Sequence, residues 1–369
     1  MRTRVSVLIL VMWLTLQALH AQGQTQSMSE MAVYQSIIAR NHVSLRAALK
    51  EIDNLPSLVD TKNRTPLILA CSIEDAESVR ILLEAGSPVQ RTGAGPGERP
   101  PISTALNKGN AEIVSLLLNA GAPVAARDSF GYTPFDIAFQ KKHEACVPLL
   151  FDALMAQNAS CTPIPGEPIR AIDQALCAAA RAGSLEWTRK LLDAGAGVNA
   201  IEHRRYTPLI CAAIGKNPEV VDLLLARGGD PGIMLDYGRT SALSIAVEAR
   251  SGAEIVAKIL DRYSVDAIDR FSVWTDAIRA DDAEVMRLLI RKGWVPFNGG
   301  PFGDLLSMAV AESKPQGVTV LLEAGLRSEP SVRFNGRTHL EEARRALEAA
   351  PTPERRQIVE LLESFETKK

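Results

Sequence analysis

Hydrophobic and polar positions along this chain recur in one frame. The clearest copy runs from Tyr206 to Ala226 (YTPLICAAIGKNPEVVDLLLA): an apolar stretch opens on Thr-Pro, a short polar turn follows, and a second apolar stretch closes on consecutive leucines. The opening returns as Thr65-Pro66-Leu67 and Thr133-Pro134-Phe135, with an Ala five residues after each Thr (Ala70, Ala138, Ala212) and a Gly 21 residues after it in the best copies (Gly86, Gly228). Each position predicts a piece of local structure. The Thr hydroxyl caps a helix, and the Pro after it has its φ already helical and no amide to leave unpaired. The Ala lets two helices approach closely, the leucine pair fills a seam against the next unit, and the Gly accepts a left-handed C-cap. The pattern therefore predicts a repeated pair of helices joined by a tight turn.

Weaker copies start near Pro100, Gln174, Thr240, Ser272, Asp304 and Thr338, and an opening copy fits near Ala32. Successive starts step by 33, 35, 33, 41, 33, 33, 32, 32 and 34 residues, a period near 33 with one insertion and ten units in all. Period and T-P-L signature resemble those of the ankyrin repeat, and the resemblance runs from about Met31 to Phe365. It implies an all-α fold, an ankyrin-repeat α-solenoid of about ten helix-turn-helix units with short hairpin loops. The His that usually follows T-P-L is replaced by Ile68, Asp136, Cys177 and Ile210. Residues 31–156 read as repeats 1 to 4, residues 157–170 as a Pro-rich insertion carrying Pro163, Pro165 and Pro168, and residues 171–369 as repeats 5 to 10 with a C-terminal cap.

Ahead of the repeats, Arg2 and Arg4 precede a largely apolar run from Val5 to Leu19, and Ala21 and Gly23 offer small residues for cleavage. Residues 1–23 read as a secretory signal peptide, too short to span a bilayer, which places the mature chain in a secreted or periplasmic compartment. Hydrophobic residues make up 46% and aromatics 5% of the chain, so its core is built from small aliphatics on helices rather than around one deep aromatic centre. A net charge of -2 excludes a strongly basic nucleic-acid binder.

An oxidising compartment permits disulfides. Cys71, Cys177 and Cys211 fall in Ala-rich helical stretches and read as small buried hydrophobes, whereas Cys146 and Cys161 are close enough in sequence to pair across one loop. Gly195-x-Gly197-x-x-Ala200 matches a loose dinucleotide fingerprint, yet it follows a helix and coincides with the turn between repeats. GxxxxGK[ST], HExxH, CxxC and GxSxG do not occur, and His42, His143, His203 and His339 are scattered one to a unit. No catalytic residue, metal site or cofactor is expected.

Candidate function concentrates just before the Thr positions, where ankyrin hairpin tips project. Residues one and three places upstream are Arg64, Phe130 with Tyr132, Arg204 with Tyr206, Tyr237 with Arg239, Phe271, and Arg337. Tyr and Arg recur there although aromatics are scarce, and both types are enriched in interface hot spots. Asp60, Asp128 and Glu202, each five residues before Thr, stand where a carboxylate braces the hairpin. The resemblance implies a non-catalytic, monomeric scaffold that grips an extracytoplasmic protein partner on its concave tip and inner-helix face. Alternatives are an exported effector or inhibitor of a host or resident enzyme, and an enzyme with its site in the irregular units after Asp266.

Overall fold

The computed structural model describes residues 28–366 apart from 53, 56–57, 61, 63, 91–98, 158–169, 236–239, 264–266, 295, 297–303 and 327–336. The leader therefore lies outside the described residues. So do Cys161 and the Pro-rich insertion up to residue 169. No helix among the described residues is long and apolar enough to cross a membrane.

The chain divides into two compact units between Ile172 and Asp173. In the first, the helix pairs are α1 (28–38) with α2 (His42–Leu49), α3 (Pro66–Ser72) with α4 (Ala76–Glu84), α5 (Pro101–Lys108) with α6 (Ala111–Asn119), and α7 (Pro134–Gln140) with α8 (Cys146–Ala156). From there on, α9 (Ala171–Ala182) pairs with α10 (Leu185–Asp193), α11 (Pro208–Ile214) with α12 (Pro218–Ala226), and α13 (Ala242–Glu248) with α14 (Ala253–Leu260). The last pairs are α15 (Ala267–Ala280) with α16 (Ala283–Arg291), α17 (Leu305–Ala311) with α18 (Pro315–Glu323), and α19 (His339–Ala349) with α20 (Pro353–Glu366). This is the expected all-helical repeat.

Helices stack in two rows within each unit. α3 packs on α5 and α5 on α7 in an inner row, with α2, α4, α6 and α8 behind them; in the second unit α11, α13, α15, α17 and α19 form the inner row, and α10 to α20 alternate behind. The inner helices start as the Thr-Pro pattern dictates. The Thr65 hydroxyl accepts from the Ile68 amide at 3.1 Å and that of Thr207 from the Ile210 amide at 3.3 Å, while Thr133 and Asp136 cap reciprocally. Thr65 and the apolar residues from Pro66 to Cys71 are all buried, with α3 packed on its own partner α4 and on the next inner helix α5.

Two inner helices depart from the frame. α9 and α15 begin at Ala171 and Ala267, upstream of the expected starts at Gln174 and Ser272. Neither start carries Thr-Pro, so nothing fixes an extended cap residue there, and the helix runs further back. Between repeats, polar links recur at about one repeat's spacing. Arg40 donates to the Ile73 carbonyl at 2.7 Å, His42 Nε2 lies 3.1 Å from Asp75, the Ser251 hydroxyl donates to the Ala213 carbonyl at 2.6 Å, and Arg287 pairs with Glu323 at 3.2 Å. At the C-terminal end Arg355 donates to the carbonyls of Ala346 and Ala350, closing the exposed end of α19.

Candidate functional site

Three of the described hairpins between repeats are each built around a carboxylate, Asp60, Asp128 and Glu202. Asp60 Oδ1 accepts from the amides of Lys62 and Arg64 at 2.9 and 2.8 Å, and its Oδ2 pairs with the Arg64 guanidinium at 2.7 Å. Burial would raise the Asp60 pKa, but these amides and the guanidinium outweigh it and hold the carboxyl below its ordinary value. Asp128 Oδ1 repeats the arrangement one hairpin further, accepting from the amides of Phe130 and Tyr132 at 2.9 Å each. Glu202, 3% exposed, takes the same place in the second unit, with Arg181 at 3.5 Å and His203 Nδ1 at 2.9 Å. The carboxylates face inward, and the residues around them carry the outer surface.

Among the tip residues singled out from the sequence whose side chains are described, Phe130 stands out as an exposed ring. It is 56% accessible, and the Arg99 guanidinium lies 5.1 Å from its centroid. Arg99 also sits 3.8 Å from Asp128. Arg64 is engaged in its own turn and receives the Tyr34 hydroxyl on its carbonyl at 2.8 Å. Tyr132 and Arg204 are half-buried, and Tyr206 is half-buried against the hydrophobic core of the second unit. Arg337 is exposed and 3.6 Å from Glu342. Tyr237 and Arg239 lie outside the described residues. Phe271 lies within α15 rather than at a hairpin tip, because that helix starts early. Arg99 was missed by the sequence reading, although it stands one residue before the start at Pro100 and the same register points to it.

The buried cysteines and histidines do structural work. Cys71, Cys146, Cys177 and Cys211 are all buried, and burial pushes the Cys71 thiol up to about 12; the Cys146 to Cys161 pairing rests on a residue outside those described. Asp304, Ser307 and His339 meet at the junction of α17 and α19, with His339 Nε2 2.9 Å from the Ser307 hydroxyl and 3.2 Å from Asp304. Both partners meet the same ring nitrogen, Asp304 caps α17 through the Ser307 amide, and His339 is 2% exposed, so this cluster is a buried helix cap and not a nucleophile with its base. A groove of about 330 Å³ beside α6 and α8 is lined by Ser115, Leu118, Asn119, Leu149, Asp152 and neighbours, without histidine, cysteine or lysine. No group of acidic, His and Cys side chains suited to a metal is found among the described residues.

Three segments match family models. Residues 176–269 match a model of ankyrin repeats in three copies, residues 102–151 one of ankyrin repeats in many copies, and residues 62–93 one of the single ankyrin repeat. The chain carries ankyrin repeats. A 65-residue stretch is 45% identical to the mitochondrial disaggregases of Bos taurus and Homo sapiens, covering 18% of this chain and 10% and 9% of theirs. Over 266 residues the chain is 28% identical to ankyrin repeat and KH domain-containing protein mask-1 of Caenorhabditis elegans, covering 70% of this chain and 9% of that protein. The chain thus spans about a tenth of the length of the curated relatives it matches. Among solved structures, the human ASB11 ankyrin repeat domain is 24% identical with a TM-score of 0.45, covering 64% of this chain and 99% of that one.

Proposed function

We propose that this ankyrin-repeat chain is a non-catalytic scaffold that binds an extracytoplasmic protein through its hairpin tips and the adjoining ends of its inner helices. The observation that carries the reading is the exposed Phe130 ring under the Arg99 guanidinium, on a hairpin whose backbone Asp128 locks in place. A rigid aromatic anchor beside an arginine loses little conformational freedom on binding, and such residues dominate interface energetics. The charged and apolar pattern of residues 2–19 supports the extracytoplasmic part of this reading, and N-terminal sequencing of the chain purified from its native source tests it, a start after residue 21 or 23 being expected.

Affinity capture from the native extracytoplasmic fraction tests the binding reading, with the mature chain as bait beside a Phe130→Ala/Arg99→Ala variant. A protein retained by the parent chain and lost by the variant, at unchanged helical circular dichroism, supports it. Identical capture by both baits would remove the tip surface as the binding site.

A further inference from the structure

The first unit presents cations at its tips and turns its tip carboxylates inward. Arg64 stands one residue before the Thr65 cap of α3, Arg99 one before the Pro100 cap of α5, and Tyr132 one before the Thr133 cap of α7. These inner helices pack side by side, so the three residues hold equivalent places about 10 Å apart along one edge of the unit. Lys62 is exposed, and the side chains of Arg64 and Arg99 are 35% and 40% accessible. The counter-charges lie beneath that surface: the side chains of Asp60 and Asp128 are 14% and 1% accessible, accept from backbone amides, and meet Arg64 at 2.7 Å and Arg99 at 3.8 Å from below.

The outer surface of this edge is thus cationic with one exposed ring, on a chain whose net charge is -2. Asp60 and Asp128 hold the turns and pair from beneath with Arg64 and Arg99, so what remains accessible on this edge is Lys62 and the outward parts of the two guanidinium groups. We infer that the tip edge of the first unit recognises an acidic peptide segment of a protein, with carboxylates on Lys62, Arg64 and Arg99 and an aromatic or aliphatic side chain against Phe130. This rests on the scaffold reading and adds the chemistry of the partner. Guanidinium groups take carboxylates in a planar fork, and Arg99 keeps donors for one while its plane lies by the ring. The small and negative total charge gives no long-range field to gather a polyanion, so discrimination falls to these few local contacts.

The test is fluorescence anisotropy on the full mature chain with a labelled peptide of repeating Glu-Glu-Phe, a matched Gln-Gln-Phe peptide, and a Lys62→Gln/Arg99→Gln variant. Arg64 is left in place because it also braces Asp60. The Glu peptide is expected to bind the parent chain, to bind the variant about tenfold more weakly, and to lose affinity as salt rises. The Gln peptide is expected not to distinguish the two chains. Equal binding of both peptides, no binding of the Glu peptide, or displacement of it by single-stranded polynucleotide at equal charge concentration would each overturn the inference. If affinity capture still yields a partner lost on Phe130→Ala/Arg99→Ala, the scaffold reading stands without the acidic preference.

Discussion

At the residue scale, two kinds of left-handed backbone position do different jobs. Gly121 closes a second helix with φ of +86° and a Cβ there would meet nothing within 4 Å, so glycine is needed for conformation alone. Gly109, in the turn within a repeat, has φ of +79° and also lies beneath the next repeat's His143, whose ring would stand 2.5 Å from an added Cβ. Gly121→Ala should therefore cost about 1 kcal/mol, and Gly109→Ala about 2 to 3 kcal/mol because strain and a displaced imidazole add. Urea midpoints of the two variants check this, and equal losses would show that His143 yields freely. The same turn position is held by non-glycine residues in other repeats, among them Glu74, Lys142 and Lys216, with φ of 59°, 58° and 56°. Its conformation is for that reason hard to read from residue type, whereas the helix-closing glycines stood out in the sequence.

At the element scale, caps fix where helices begin, and two of the caps are carboxylates tied to a neighbouring repeat. Asp75 caps α4 and meets His42; Asp304 caps α17 and meets His339. For Asp304, burial raises the carboxyl pKa, but His339 and the amide and hydroxyl of Ser307 outweigh burial and leave it below the ordinary 3.8. A carboxyl depressed in the folded state takes up its proton first in the unfolded chain. Its contribution is therefore complete above 3.8 and disappears as pH falls through the lower folded value. Asp304→Asn should lower stability at neutral pH and flatten the acid limb of the urea midpoint against pH; an unchanged limb would remove this cap from the acid response. The Thr-Pro starts were legible because they act through adjacent residues. The His339 and Asp304 pairing was not, since it joins positions 35 residues apart through packing.

At the scale of whole units, each repeat buries its neighbours' faces, so a core defect should spread by adjacency. Leu117 on α6 is fully buried, and α6 packs against α4 and α8. Leu117→Ala should cost about 2 to 5 kcal/mol. Hydrogen exchange should rise first in α6, α4 and α8 and only afterwards in α2. Uniform acceleration across all four outer helices would mean that the first unit opens as one block. The low aromatic content belongs to this scale too: layers only two helices deep are filled by Ala, Val, Ile and Leu, and an exposed ring such as Phe130 is then conspicuous.

The sequence by itself determined the repeat, its period near 33 and its ten units, because helix caps, closing glycines and apolar periodicity act over one to a few turns of chain. It also marked the hairpins as the place where unusual side chains cluster. Tertiary structure decided what each tip residue is available for. Arg64 and Arg99 follow the same sequence rule, yet one is bound to the carboxylate of its own hairpin and the other reaches across to Phe130 and Asp128 on the next. Tyr206 fits the pattern of an exposed tip and instead packs on the core, and Phe271 fits it and falls inside a helix. Availability depends on which neighbours surround a side chain, and for Arg99 those neighbours, Asp128 and Phe130, stand on the next hairpin about 30 residues away, beyond the reach of a local pattern.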